Sequence, residues 1–189
     1  MTKTLIIHPK DESTDFLKPI YEGIQNKTVV TGGRHGEKSR MSKKEVHELI
    51  KSHDRVIMLG HGCPYGLFSC GLFESTYGLI IDHDTVELLK EKNDNIYIWC
   101  NADEFVNKYE LKGFYSGMFV SEVGESRGCN IPSKQEVVTE SNDGFSKILG
   151  SYVTQPTDII FRNVQLVYEL LGETNKVAKY NSERLYVRC

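Results

Sequence analysis

The sequence predicts an α/β fold of three layers, α/β/α, built on a mostly parallel sheet with a small hairpin after the strand that ends at His61. Three observations predict it. Short runs rich in β-branched and aromatic residues alternate with stretches whose apolar residues recur at helical spacing, the pattern of a parallel sheet covered on both faces. Two of those runs, Arg55-Val56-Ile57-Met58-Leu59-Gly60 and Asn95-Ile96-Tyr97-Ile98-Trp99, are nearly continuous in apolar residues, as buried strands are. A Gly-rich alternating stretch over 66–81 interrupts the pattern once and reads as the hairpin.

In chain order, residues 4–7 form a short first strand, stopped by His8-Pro9 because proline cannot continue a ladder. Phe16, Leu17, Ile20, Tyr21 and Ile24 then predict a helix over 15–25 that runs through Pro19. Residues 28–31 form the second strand, ended by Gly32-Gly33, and a polar, basic loop carries Arg34, His35, Lys38 and Arg40. Ser42 caps the next helix, with Glu45 completing a capping box and Val46, Leu49 and Ile50 as the apolar stripe. After the His61 strand and the hairpin, Asp82 or Asp84 caps a helix through Val86, Leu88 and Leu89. The Cys100 strand follows, then a short helix over 102–111, a strand over 113–120, a loop over 126–135, and helices over 134–149 and 157–171. No stretch reads as a linker or a repeat, so residues 1–189 are expected to form one domain.

Composition narrows the function classes. Lys and Arg number 23 against 26 Asp and Glu, a formal net charge of −3, which offers no global field for nucleic acid or an anionic membrane. No run approaches the roughly 18 apolar residues of a membrane helix. The five cysteines, at 63, 70, 100, 129 and 189, lack disulfide-framework spacing, and no export signal opens the chain. A cytoplasmic protein with free thiols is expected. His61, Cys63, Cys70 and His83 match no paired-ligand spacing for zinc, so neither metal nor cofactor is expected. The stretch 32–39 fails as a P-loop because Glu37 separates Gly36 from Lys38.

The chemistry concentrates at two strand ends. One strand runs into His61-Gly62 and another into Cys100. Adjacent parallel strands lie about 4.8 Å apart, and sites in open α/β sheets form beyond the carboxyl ends of the strands. The stretch between the two residues exceeds the minimum of about 10–12 residues that a right-handed crossover needs. A thiolate can attack a carbonyl while a neighbouring imidazole takes its proton and later gives it to the leaving amine. Gly62 leaves the approach open, and its N–H with that of Cys100 is a candidate oxyanion donor.

A hydrophobic strand ending in His-Gly, followed by one ending in Cys, resembles the pattern of caspase-like cysteine peptidases, a clan that includes legumains, gingipains, clostripain and metacaspases. The resemblance covers roughly residues 1–125 and implies a caspase-like sheet and a peptide or protein substrate. It also implies a His-Cys dyad, with His61 as general base, Cys100 as nucleophile and Gly62 as backbone oxyanion donor. Loops after neighbouring strands would line the substrate cleft. Arg34 and Arg40 would then receive an acidic side chain, whereas Ser121 and Glu122 form the opposite wall, and Glu122 or Asp103 would favour a basic one. Two other readings stand beside this one. The bulky Trp99, where the clan places a small residue, points to a caspase-like module that binds without catalysis. The Gly32-Gly33 loop points to a flavodoxin- or Rossmann-like small-molecule binder.

Overall fold

The computed structural model of the chain describes residues 2–32, 41–70 and 78–189. Its centre is a six-stranded sheet of β1 (Thr4–Ile7), β2 (Lys27–Val30), β3 (Arg55–Leu59), β7 (Ile96–Ile98), β8 (Gly113–Ser116) and β9 (Leu185–Arg188). The order across the sheet is β2-β1-β3-β7-β8-β9. The first five strands run parallel, and β9 pairs antiparallel with β8. A separate three-stranded antiparallel sheet follows β3 and consists of β4 (Gly62–Cys63), β5 (Gly66–Phe68) and β6 (Leu79–Ile81). This is the predicted hairpin enlarged by one strand; its stretch 71–77 lies outside the described residues. Gly66 adopts φ +145° there, and a Cβ on it would sit 1.8 Å from the Ile81 carbonyl oxygen, so only glycine fits.

Two hydrophobic clusters flank the sheet, as alternation along each strand requires. Val56, Met58, Tyr97 and Trp99 face one cluster, which is completed by Val46 and Ile50 of α2 (Lys43–Lys51), Leu89 of α3 (Val86–Lys90) and Phe105 of α4 (Ala102–Lys108). Ile57, Leu59, Ile96 and Ile98 face the other. There the covering residues come from α1 (Pro19–Glu22), α6 (Gln135–Tyr152), α7 (Thr157–Gly172) and α8 (Lys176–Ser182). The side chains on these strands are almost wholly removed from water, and each large one contributes about 1.5–3 kcal/mol.

Local differences from the sequence reading have physical causes. The helix expected over 15–25 is two pieces, a 3-10 helix over Glu12–Leu17 and then α1, because Pro19 lacks an N–H and suits only the first turn of a new helix. The capping box at Ser42 is present, with Glu45 N donating to Ser42 Oγ and Ser42 N to Glu45 Oε2. The loop expected over 126–135 begins inside a helix, α5 (Val123–Gly128), where Ser126 is buried. Its Oγ donates to Val123 O and accepts from Ser133 N. The segments α8 and β9 were not expected. Their signals are Asn175, whose side chain caps α8 by accepting from Val177 N and Ala178 N, and the Leu185-Tyr186-Val187 run.

Buried asparagines tie these parts together. Asn95 Oδ1 accepts from Val56 N, and its Nδ2 donates to Leu89 O and Tyr97 Oη, fixing β7 against β3. Asn181 of α8 brackets the backbone of Val120, donating to its oxygen and accepting from its N–H at 2.9 and 2.8 Å. Among the described residues no helix is long and apolar enough to cross a membrane.

Candidate functional site

The register of β3 and β7 sets the level of the two chemical residues. Leu59 pairs with Ile98, and Gly60 N donates to Ile98 O at 3.0 Å. Two residues beyond each partner stand His61 and Cys100, at the carboxyl edge of hydrogen-bonded neighbouring strands.

His61 is held from the β1 side. Its Nε2 lies 2.6 Å from Ser13 Oγ, and Ser13 Oγ donates to Asp11 Oδ1 at 2.7 Å. Asp11 also accepts from Ser13 N at 3.0 Å, and these Ser13 hydrogen bonds, the side-chain one first, hold its carboxyl below the usual range. With the single Ser13 proton committed to a carboxylate, the Ser13 oxygen accepts from His61 Nε2–H. Neutral His61 therefore carries its bare lone pair on Nδ1. This polarity also argues against Ser13 as a nucleophile, since the carboxylate acts on the hydroxyl instead of on the far side of the imidazole.

Cys100 is held from the β8 side. Its Sγ donates to Phe119 O at 3.4 Å and lies 3.9 Å from Glu125 Oε1. The Phe119 carbonyl is positioned by its neighbour Val120, which Asn181 brackets. Glu125 Oε2 accepts from Ser121 N, Ser121 Oγ and Glu122 N, which fixes its carboxylate beside the sulfur. Burial, and then the Glu125 charge, push the Cys100 thiol up to about 12. Cys100 is thus a neutral thiol, and among the described residues it shares no hydrogen bond with His61.

Asn101 follows in the left-handed conformation, φ 62° and ψ 34°, and turns the chain directly into α4. Asparagine tolerates that conformation better than other non-glycine residues. Trp99 points the other way. It packs edge-to-face on Tyr97 and Phe105 and donates from Nε1 to Cys63 O, on the face opposite the Ile96 and Ile98 side chains. Its bulk is absorbed by the core. Gly62 is explained by the same indole, because a Cβ there would lie 2.3 Å from Trp99 Cδ1.

The other expected site residues separate into two groups. Arg34 and Arg40 lie outside the described residues, as does Gly33 of the Gly32-Gly33 loop. Ser121 and Glu122 line a cleft of about 410 Å³ together with Glu12, Ser13, Phe16, Asn142 and Asp143, and neither His61 nor Cys100 is among its lining residues. Asp103 does not line it. The sequence reading missed Asp11, Ser13 and Glu125. The first two precede the helix expected over 15–25 and carry no chemical motif of their own, and Glu125 carries no local signal because its meaning comes from the return of the chain toward Cys100.

Metal ligation has one candidate group among the described residues, Asp82, His83 and Asp84, whose ligand atoms lie within 4.8 Å of one another. Lys43 Nζ already sits against both carboxylates, at 2.5 Å from Asp82 and 2.8 Å from Asp84, which is the role a cation would otherwise play. No protein-family model matches the chain, and no curated protein matches it.

Proposed function

We propose that the chain is a caspase-like cysteine peptidase domain and that the arrangement described is its resting one. The observation that carries the reading is the register of β3 and β7, which sets an imidazole and a thiol at the same level on adjacent strands. Three further features support it: the sheet order with its single antiparallel strand at one edge, the Asp11–Ser13 relay on His61, and the cleft between the elements that hold the two residues.

In this reading a bound peptide draws the Cys100 side chain away from Phe119 O and Glu125 toward His61. Nδ1 of His61 takes the thiol proton, and the thiolate sulfur adds to the scissile carbonyl carbon. The oxygen takes up the negative charge beside the N–H groups of Gly62 and Cys100. The C–N bond breaks as His61 passes its proton to the leaving amine, and water then hydrolyses the thioester and frees the thiol. The Ser13 oxygen, accepting from Nε2–H, stabilises the imidazolium formed in between.

The test is mass-spectrometric adduct mapping with a panel of peptidyl acyloxymethyl ketones that differ in the residue next to the reactive carbon. A Cys100 thioether that disappears in His61→Ala is the expected result. No Cys100 adduct from any member of the panel, together with no hydrolysis of peptide mixtures, overturns the proposal. A second reading, the caspase-like binding module without catalysis, is favoured by one observation: Cys100 bonds to Phe119 O and faces Glu125 instead of His61. It predicts saturable peptide binding that Cys100→Ala leaves intact, with no adduct.

A further inference from the structure

Three of the six large apolar side chains exposed among the described residues, Ile159, Leu166 and Leu170, stand on one helix, α7, so they form a patch and not a scatter. The helix does not need them for its own packing. Its inward stripe, Ile160, Val164 and Tyr168, is wholly buried in the core on that face of the sheet. Helices α6 and α8 and strands β8 and β9 pack against α7, yet Leu166 and Leu170 remain 61 % and 58 % exposed.

The patch has the order of a helix seam. With half-buried Asn163 it runs through 159, 163, 166 and 170, spacings of four, three and four, the pattern by which two helices interlock. Asn163 is already satisfied within the helix, its Nδ2 donating to Ile159 O at 2.8 Å.

Charge says which helix fits. Arg162 and Glu169 are exposed along one edge of the seam, immediately before Asn163 and Leu170. Arg162 reaches Asp158 only at 3.5 Å, and Glu169 accepts from the neutral Gln165, so both keep charge for a partner. A second copy of α7, turned antiparallel about a two-fold axis near residue 165, completes both sets. Ile159 of each copy then lies opposite Leu170 of the other, Leu166 stands beside the axis, and Arg162 of each copy faces Glu169 of the other. One axis thus matches the apolar and the charged positions together, as a self-complementary contact requires. A parallel pair would set the charged edge against Ile160 and Val167, with no charge opposite charge.

We infer that the outer face of α7 is a homodimerisation surface, occupied by the same helix of a second copy of this chain in antiparallel order. One helix face is smaller than the roughly 800 Å² per partner of a standard interface, so the association is transient and set by protein concentration. It uses none of the residues at the strand ends and stands apart from the peptidase reading.

Sedimentation equilibrium of the full chain over a concentration series tests it. The wild type should pass from monomer to dimer. Leu166→Gln should remain a monomer and melt with the dilute wild type, since that side chain is already mostly in water. Arg162→Glu and Glu169→Arg should each weaken the dimer about tenfold or more, because each turns two symmetry-related attractions into repulsions and one exposed pair accounts for about two- to fivefold. An equimolar mixture of those two variants should associate again, because every opposed pair in it joins a carboxylate to a guanidinium. A wild-type chain that stays monomeric up to about 1 mM overturns the inference. A dimer that Leu166→Gln leaves intact does the same, because it forms through another surface. A dimer indifferent to both charge reversals, or not restored in the mixture, overturns the antiparallel pairing and the inference with it. A monomer that floats with phosphatidylcholine vesicles, and no longer does so in Leu166→Gln, assigns the face to a lipid surface and overturns the inference as well.

Discussion

Alkylation of Cys100 across a pH series measures how firmly the resting arrangement suppresses the thiol. An unperturbed cysteine with a pKa near 9 is about one-tenth thiolate at pH 8, whereas a thiol held at about 12 is ionised to roughly one part in ten thousand. Because the thiolate is the reactive form, Cys100 should react with iodoacetamide about a thousandfold more slowly than an ordinary exposed thiol. Cys189, exposed in the same chain, serves as the internal reference. The assay is a quenched time course at pH 7 to 11, with each cysteine quantified by peptide mass spectrometry. Replacing Glu125 with Gln removes the second cause of the shift and leaves burial, the first, in place. The apparent pKa of Cys100 should then fall without reaching the ordinary range. A wild-type Cys100 that titrates below 9, or that reacts as fast as Cys189 at pH 8, would refute both the burial and the Glu125 argument.

The remaining predictions concern the parts around that thiol. His8 is buried and neutral, with Nε2 donating to Thr14 Oγ1 and Nδ1 accepting from Tyr21, and burial holds its pKa down at about 4. Between pH 6.5 and 4 the unfolded chain binds a proton that the native chain refuses, so stability falls with acidification, by about 2 kcal/mol at pH 5 from this group alone. Urea melts at pH 7.5 and 5 should show that loss in the wild type and a smaller one in His8→Gln. Gly62→Ala puts a methyl group 2.3 Å from Trp99 Cδ1 and 2.6 Å from Gly66 O, and should cost about 1–3 kcal/mol in thermal denaturation. Tyr168→Phe removes the hydroxyl 2.6 Å from Ser141 Oγ in the core and should cost about 1–3 kcal/mol in the same assay, since Ser141 loses that partner. If the proposed peptidase activity is measured, Ser13→Ala should lower kcat and move the pH profile with little change in KM. Ser13→Thr, which keeps a hydroxyl, should recover part of the loss; a change in KM alone would make Ser13 a binding residue instead.

The legible parts of the fold were those written in local sequence. The continuous apolar runs located β3 and β7, and the Ser42/Glu45 spacing located α2 to the residue, because a capping box is a contact between neighbours in the chain. The period of 3.6 located α6 and α7. What escaped depends on partners distant in sequence. Strand β9 is only four residues long and is a strand because Phe114 and Tyr115 lie opposite Val187 and Tyr186. Arg55 reads as an ordinary polar residue opening a strand, yet its guanidinium is buried on the carbonyls of Asp94 and Val153. The site was legible at the level of strand ends, which put His61 and Cys100 on one edge. The side-chain partners of those two residues were not, because Ser13 and Glu125 reach them from other elements, 48 and 25 residues away.

The contact between Gly62 and Trp99 changes what a His-Gly pair is worth as a marker. A descendant of this chain without the proposed peptidase chemistry would still keep glycine at 62, because the indole behind it leaves no room for a side chain. Asp11 and Ser13 are under no such obligation: both stand at a partly exposed turn, and the bond from Ser13 to His61 is one that packing does not require. Under the proposed peptidase reading, active relatives of this fold are therefore to be sorted from silent ones by the residue at position 13 and not by the glycine.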